Sequence, residues 1–456
     1  MTNTLYLPEL REMLAANDSA GLQEFCTALH HPARTAEFME GLSAEETWRV
    51  LEHAELPLRV EIFGFFEEEK QVEMIQTGEL AEVAELIADL PPDDRVDLLK
   101  KAAPEVVSQL MPLIPTEERR DIQRLRSYAE GTAGAEMTTE FARLSEDLTV
   151  GQALQEVSRQ AEELETIYYL YVVDEEDHLR GLLSARELLS AMGKPNARIG
   201  DLMERDLITV NASDDQEEVA QTVARYDLMA IPVVDDAHHL LGIITHDDVL
   251  DVMLEEAAED AYLSAAVAPL EESYLHTSLF RLSWKRGIWL TILFVAALLT
   301  AFALHEYQGV MDEPGTIWLM LFIPLVISTG GNSGNQSATL IITALSTGHI
   351  TLRDWWRVVY RELAMGLLLG GFLGGVGYAS ALLWAPGYWA ALIIPLTLLL
   401  VVLCGTLCGS LLPLLFERIG LDPAMMSNPF VAGLIDVLGI LIYMTVAGMI
   451  LSAGAG

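Results

Sequence analysis

Five apolar runs follow one another in the C-terminal part of this 456-residue chain: Ile288 to Tyr307, Ile317 to Leu345, Ala364 to Trp384, Trp389 to Phe416 and Asn428 to Leu451. About 20 consecutive apolar residues cross the hydrocarbon core of a bilayer as a helix, because only a helix satisfies its own backbone there without a partner strand. A body of five spanning helices is therefore expected. The last run, SNPFVAGLIDVLGILIYMTVAGMIL from Ser427, carries one ionisable side chain, Asp436, near its middle. Burying a carboxylate at that depth costs roughly 2.5 kcal/mol or more, so it faces a water-filled path, an ion or a partner. The competing account is an acid hydrogen-bonded and protonated inside the bundle. The second run contains PLVISTGGNSGNQ, from Pro324 to Gln336, a composition wrong for a plain spanning helix. Gly330, Gly331 and Gly334 permit close backbone approach, while Asn332, Ser333, Asn335 and Gln336 bring amide and hydroxyl oxygens to membrane depth. We read Asp436 as the floor of a cation pathway.

Charge divides the chain. From Trp284 onward there are eight acidic and six basic residues, so nearly all of the net charge of -40 lies on the first part. An acidic soluble body joined to a near-neutral membrane body excludes nucleic acid as a partner and favours divalent cations, which relieve repulsion between clustered carboxylates. Solvated helix faces account for part of the excess. Cys26, Cys404 and Cys408 form no disulfide framework or zinc spacing. Cys404 and Cys408, one helical turn apart in an apolar run, read as small packing residues. The opening MTNTLYLPELREM lacks a basic region followed by an apolar core, so no cleaved signal peptide is expected.

A weak repeat of about 24 residues runs through LSAEETWRVL at Leu42, FEEEKQVEMI at Phe66, LPPDDRVDLL at Leu90 and IPTEERRDIQ at Ile114. Each copy opens as a helix start does, with an apolar residue, a small, proline or acidic turn and then apolar positions at helical spacing. A second helix lies between copies, where Val83, Leu86 and Ile87 recur as Val107, Leu110 and Met111. One such pair cannot bury its apolar face alone, so a stacked array of short helices is expected.

Beyond a glycine-rich joint, GTAGAEM, two halves match each other. YYLYVV from Tyr168 leads through DEEDH to GLLSARELL at Gly181; AIPVV from Ala230 leads through DDAHH to GIITHDDVL at Gly242. Each half has a strand, an acidic turn, a second strand opening with glycine, and a helix capped by Ser184 or Thr245. The pattern AIPVVDD…LLGIITHDDVL resembles a tandem CBS-domain pair. That resemblance implies a cleft for an adenine nucleotide such as ATP, with Ser184 and Glu187 in one half and Thr245 and Asp248 in the other. An empty pair used for dimerisation and ion sensing is the alternative.

The run HDDVLDVMLEEAAED carries Asp247, Asp248, Asp251, Glu255, Glu256, Glu259 and Asp260. On a helix Asp248, Asp251, Glu255 and Glu259 share one face, a like-charge array that destabilises the helix unless a cation or a basic partner sits beside it. A solvated face is the bland explanation. Its position just before the first span favours a regulatory linker.

Arg281, Lys285 and Arg286 precede the first span; Arg353, Arg357 and Arg361 lie between the second and third; Arg418 lies between the fourth and fifth. The other connections contain no Lys or Arg. The positive-inside rule then places the N-terminal body in the cytoplasm and the C-terminus outside, with Glu306, Asp312 and Glu313 at an outer mouth that concentrates cations.

An acidic helical repeat, two CBS-like halves, an acidic linker helix and five spans with GGNSGNQ and a lone aspartate resemble the MgtE family of magnesium channels across essentially the whole chain. The resemblance implies a homodimer in a bacterial inner membrane, with a pore between subunits lined by the second and fifth spans. Asp436 of both subunits would bind a hydrated ion, with Gly330, Asn332, Gly334, Asn335 and Gln336 shaping or supporting the pore and Ala432 adding a carbonyl. The expected architecture is an all-α helical-repeat domain over residues 1–130, an α/β CBS pair over 131–253 (halves near 137–200 and 201–253), an acidic linker over 254–283 and a transmembrane domain over 284–456. Magnesium would be both cargo and regulator, held by the acids from Asp247 to Asp260. No enzymatic constellation is present. Oxygen ligands suit magnesium, which sheds water reluctantly, better than softer metals. Manganese or cobalt as cargo, a CBS-regulated carrier of another solute, and a membrane-tethered nucleotide sensor are the competing readings.

Overall fold

The 24-residue sequence repeat is a two-row helical stack. Ten helices open the chain: α1 (Leu7–Ala16), α2 (Ser19–Thr27), α3 (Pro32–Met39), α4 (Ala44–Leu51), α5 (Leu56–Gly64), α6 (Glu68–Thr77), α7 (Leu80–Asp89), α8 (Pro92–Lys101), α9 (Pro104–Leu110) and α10 (Thr116–Leu125). From α3 on, odd helices start 24 residues apart, and so do even helices from α4. Each helix packs on the next of its own row, α3 on α5, α5 on α7 and α7 on α9, with α4, α6, α8 and α10 doing likewise. Local chemistry sets the starts. Proline occupies one of the first two positions of α3, α5, α8 and α9, where its missing N–H is not needed. Ser43 and Glu46 form a reciprocal capping box at α4. Val83, Leu86 and Ile87 are fully buried, as their recurrence requires.

The computed structural model describes residues 5–27, 31–161, 164–270, 274–275, 277–311 and 315–454, and the chain divides into two units, Met1–Met253 and Leu254–Gly456. After the helical stack, the first unit continues with β1 (Phe141–Ser145), α11 (Val150–Gln160), β2 (Thr166–Val173), β3 (Leu179–Ser184), α12 (Ala185–Ser190), β4 (Val210–Asn211), α13 (Gln216–Tyr226), β5 (Ala230–Val234), β6 (Leu240–Thr245) and the start of α14 (His246–Ser264), whose later residues belong to the second unit. Each half is a three-stranded sheet, β1-β2-β3 and β4-β5-β6, with the first pair parallel and the second antiparallel. The short leading strands β1 and β4 escaped the sequence reading. Both sheets need a glycine at one position: a Cβ on Gly181 would meet the Glu204 carbonyl at 2.8 Å, and one on Gly242 the Thr138 carbonyl at 2.6 Å. One apolar core runs from the helical stack into the second half, from Leu86 and Val96 to Ile231, Ile244 and Val249. Arg95, almost fully buried, donates to the Ala88 and Leu90 carbonyls at 2.9 and 2.6 Å and lies 3.7 Å from Glu140, securing the joint between stack and sheets.

The second unit contains α15 (Leu279–Glu306), α16 (Gln308–Met311), α17 (Ile323–Ser346), α18 (Trp355–Ala381), α19 (Tyr388–Ala391), α20 (Ile393–Arg418) and α21 (Asn428–Gly454). Among the described residues five helical stretches are long and apolar enough to cross a membrane, the second of them made of a 3-10 turn (Ile317–Phe322) and α17 together. The helix α17 packs between α20 and α21, and α18 packs on α20. No residue of α15 is buried, and Leu290, Phe294 and Phe302 stand at least 60% exposed, as a lipid-facing helix should. The packing of α17 on α20 is a glycine contact. A Cβ on Gly405 would approach the Gly330 carbonyl to 2.8 Å, and one on Gly409 would run into the Gly334 carbonyl. GGNSGNQ forms an unbroken stretch of α17, a spanning helix as expected but not a plain apolar one. Neighbouring helices cover its small residues, which offsets the low helix propensity of glycine.

Candidate functional site

On α17 the small and polar residues sort onto different faces. Gly330 and Gly334 are buried: Cβ atoms there would press on Val401 and Ile435, and on Val431 and the Gly405 carbonyl. Ser328, Asn332, Gln336 and Thr339, at helical spacing, are all exposed. Asn332 Nδ2 donates to Ser328 Oγ at 3.3 Å, and Thr339 Oγ1 donates to Asn428 Oδ1 of α21 at 3.3 Å. Asn335 lies between the faces, with its Oδ1 buried and unpartnered among the described residues. A polar stripe thus lies open along a membrane-spanning helix, where hydrocarbon would leave its amides unsatisfied.

Asp436 on α21 is half-buried beside this stripe. Gly331 faces it, since a Cβ built there would lie 3.6 Å from Asp436 Oδ1 and 3.5 Å from Ala432 Cβ. Ala432, one turn earlier, is also half-buried. These residues, half-wet and rich in oxygen with one carboxylate, suit a hydrated hard cation.

A second acidic site lies in the first unit. Asp93 of α8, Glu165 before β2 and Asp248 of α14 each place a carboxylate oxygen within 4.8 Å of the other two. Asp93 Oδ1 and Glu165 Oε2 are buried without a hydrogen-bond partner. Burial, reinforced by the neighbouring carboxylates, raises Asp93 well above the usual range, pushes Glu165 up to about 8 and raises Asp248. Three acids largely withdrawn from solvent, two of them with orphaned oxygens, have the composition and spacing to hold a divalent cation.

The acidic run is helical, as expected, and its members have different surroundings. Asp247, Asp251, Glu255 and Glu259 are exposed; Asp248, Glu256 and Asp260 are half-buried. Burial first, then Asp422 and Glu256, push Asp260 up to about 6, while Ser346 hydrogen-bonds its carboxylate. Asp422 is likewise raised by burial. Glu306 ends α15 exposed; Asp312 and Glu313 lie outside the described residues.

In the CBS-like halves the Ser/Thr-x-x-acid pairs close on themselves. Ser184 Oγ accepts from the Glu187 N–H at 3.2 Å, while the Ser184 N–H and hydroxyl donate to Glu187 Oε2 at 2.9 and 2.7 Å. Thr245 donates its N–H to Asp248 Oδ2 at 3.2 Å and its hydroxyl to Asp248 Oδ2, with Asp247 Oδ1 also within 2.6 Å of the hydroxyl. Asp248 therefore belongs both to this cap and to the acidic cluster.

Sequence reasoning missed Asp93, Glu165, Asp422 and Glu362. The PPDD of the third repeat was visible as a helix start, but nothing local joins it to residues 165 and 248. Glu362 precedes the apolar run and yet is 8% exposed inside the bundle.

A regulated divalent-cation transporter is the class these parts define: an acidic sensor with a CBS pair, and five spans holding a polar stripe and one aspartate. Family models match in the same order: the MgtE intracellular N domain over residues 30–131, CBS domains over 133–194 and 199–255, and a divalent cation transporter over 323–446. The magnesium transporter MgtE of Thermus thermophilus is 37% identical over 97% of this chain and 98% of its own, and that of Enterococcus faecalis is 36% identical over 73% of this chain and 72% of its own. The crystal structure of the soluble part of a magnesium transporter matches with a TM-score of 0.52 at 34% identity, over 55% of this chain and 98% of that one. The cytosolic domain of the Mg2+ channel MgtE in complex with ATP matches at 0.50 and 35%, over 53% and 98%. The chain belongs to the MgtE family.

Proposed function

We propose that this protein conducts magnesium across a bacterial inner membrane as a homodimer, and that cytosolic magnesium closes it through the acidic cytoplasmic sites. One observation carries the reading: Ser328, Asn332, Gln336 and Thr339 form an exposed polar stripe on a membrane helix beside Asp436. Such a stripe is stable in a membrane when a second copy and a file of water cover it. The N-terminal body is then cytoplasmic and the C-terminus outside, following the arginines of the loops. Asp436 binds the cation through its retained water, and the amides of Asn332 and Gln336 support that shell. Asp93, Glu165 and Asp248 take the regulatory ion, since a divalent cation relieves the mutual repulsion of three clustered acids. Asp260 and Asp422, with Ser346 at the end of α17 beside them, offer a second acidic site. An adenine nucleotide binds the CBS cleft at Ser184 and Glu187 and at Thr245 and Asp248, as the ATP complex of the similar cytosolic domain supports.

Flux of Mg2+, Mn2+ and Co2+ into proteoliposomes, with internal and external magnesium varied separately, tests this. Asp436→Asn reduces magnesium uptake to background in a protein that still elutes as a dimer. Undiminished uptake would refute the site, and equal uptake of the three ions would refute magnesium selectivity.

A further inference from the structure

Behind the polar stripe, α17 is held from its other side. Ser337 is nine residues past Ser328, about two and a half turns, and so points away from the stripe. Its hydroxyl donates to Glu362 Oε2 on α18 at 2.6 Å, with Ser337 4% and Glu362 8% exposed. The main-chain carbonyl of Glu362 accepts from Thr406 Oγ1 of α20 at 3.4 Å. One turn on, a Cβ at Gly366 would touch Leu403 and Thr406, so α18 is seated tightly on α20 at this level. The ion pair at this end of α18 joins Arg357 to Asp354 and leaves Glu362 to its hydroxyl partner.

A buried carboxylate in a spanning helix is expensive, and leucine would fill such a place at less cost. What leucine lacks is direction. Gly330 and Gly334 on α17 meet Gly405 and Gly409 on α20, a contact that sets how closely the two helices approach but brings no polar side chain to hold the rotation of α17. A rotation by one residue, about 100°, would carry Gln336 off the stripe. The other polar ties from α17 to neighbouring helices, among the described residues, include the longer Thr339–Asn428 bond on the exposed face and the bond of Ser346, at the end of the helix, to Asp260 of α14.

We infer that Glu362 is a positioning residue for the cation pathway: through Ser337 it fixes the rotation of α17, so that Asn332 and Gln336 face the path and Gly331 faces Asp436. The inference rests on α17 lining the pathway as proposed above. It assigns a role to a carboxylate that neither carries the ion nor senses it.

The test reads helix rotation separately from transport. In full-length protein with Cys26, Cys404 and Cys408 replaced, Gln336→Cys and Asn335→Cys are each labelled from the aqueous phase with a charged thiol reagent, and the ratio of their rates is compared. Glu362→Leu and Ser337→Ala each lower that ratio by about tenfold, the scale of losing one hydrogen bond to a charged group. Glu362→Gln, whose amide oxygen accepts the same bond, keeps it within about twofold. Magnesium flux follows the ratio. Ser337→Ala removes only a hydroxyl and gives the answer if Glu362→Leu fails to fold. An unchanged ratio in Ser337→Ala overturns the inference, as does a Gln variant behaving like the Leu variant, which would make charge and not the bond the requirement. A changed ratio beside normal flux in Asp436→Asn would sink the pathway reading and leave the positioning role intact.

Discussion

Gly331 on α17 lies directly against Asp436 on α21, with 3.6 Å between the position of a Cβ and the Asp436 Oδ1. That is ordinary van der Waals contact, so one carbon fits and a branched chain does not. Gly331→Ala should keep magnesium flux within about twofold, whereas Gly331→Leu should cut it by about tenfold or more by filling the space beside the carboxylate. Uptake in liposomes at matched protein density decides it; a conducting Gly331→Leu protein would place the pathway elsewhere.

The Asp93, Glu165 and Asp248 cluster makes the cytoplasmic unit sensitive to pH. All three acids are raised in the folded protein, Glu165 to about 8, so the native state holds protons that the unfolded chain releases. Their contribution to stability is full below about pH 4, the unfolded carboxylate range, and is lost as pH rises through the folded values. In EDTA, a fragment of residues 1–264 should therefore melt on the order of 5 °C lower at pH 8 than at pH 5 through these groups. Magnesium should flatten that slope, bind more tightly as pH rises and release protons on binding. A melting temperature in EDTA that climbs from pH 5 to pH 8 would contradict the assignment.

Asp93→Asn separates repulsion from ligation at the same site. The amide keeps the shape and cannot ionise, so at pH 8, where holding a proton on Asp93 costs stability, the metal-free fragment should melt higher than the parent. Its gain in melting temperature on adding magnesium should shrink at the same time, because one of three ligands is lost. A variant that melts lower in EDTA yet gains as much from magnesium would show that the ion binds elsewhere.

Glu187 serves the cap of α12, which complicates any mutational test of nucleotide binding. Replacing it with alanine would cost about 1 kcal/mol from the cap alone. Glu187→Gln keeps an acceptor for the Ser184 N–H but removes the charge a ribose hydroxyl would meet. ATP affinity by titration calorimetry should fall by about tenfold with the melting temperature unchanged. Equal affinity in parent and variant would confine Glu187 to the cap.

What could be read in the chain, and what could not, divides by sequence distance. The 24-residue stack, the two matching halves and the five spans were legible because periodicity and capping are local: Ser43, Ser184 and Thr245 make their bonds within three residues. Asp436 was legible because isolation in an apolar run is itself local. The acidic cluster was visible only through Asp248, since α8, the segment before β2 and α14 meet by tertiary packing alone. Glu362 was hidden by its surroundings in sequence: Arg357 and Arg361 mark a water boundary, yet the next residue turns inward toward Ser337. The stretch GGNSGNQ was legible as a site of close backbone approach, but not its partners, since Gly405 and Gly409 lie about 70 residues further along the chain.

The exposed acids of α14 allow the gating proposal to be tested against a simpler one. Asp251, Glu255 and Glu259 follow Asp248 at three- and four-residue steps along one helix, so each raises the cost of the others until a cation arrives. Replacing all four by Asn or Gln removes repulsion and ligands together, and two models then part. If magnesium closes the channel by bridging these carboxylates, closure loses its magnesium dependence and the variant conducts even at high internal magnesium. If magnesium acts only by cancelling repulsion, the neutral helix packs without any ion and the variant stays shut. Conduction is the expected outcome, because amides replace carboxylates poorly as magnesium ligands and because Asp248 already lies within 4.8 Å of two other acids. Flux at several internal magnesium concentrations distinguishes the two, and closure at the parental concentration would return this face of α14 to solvent.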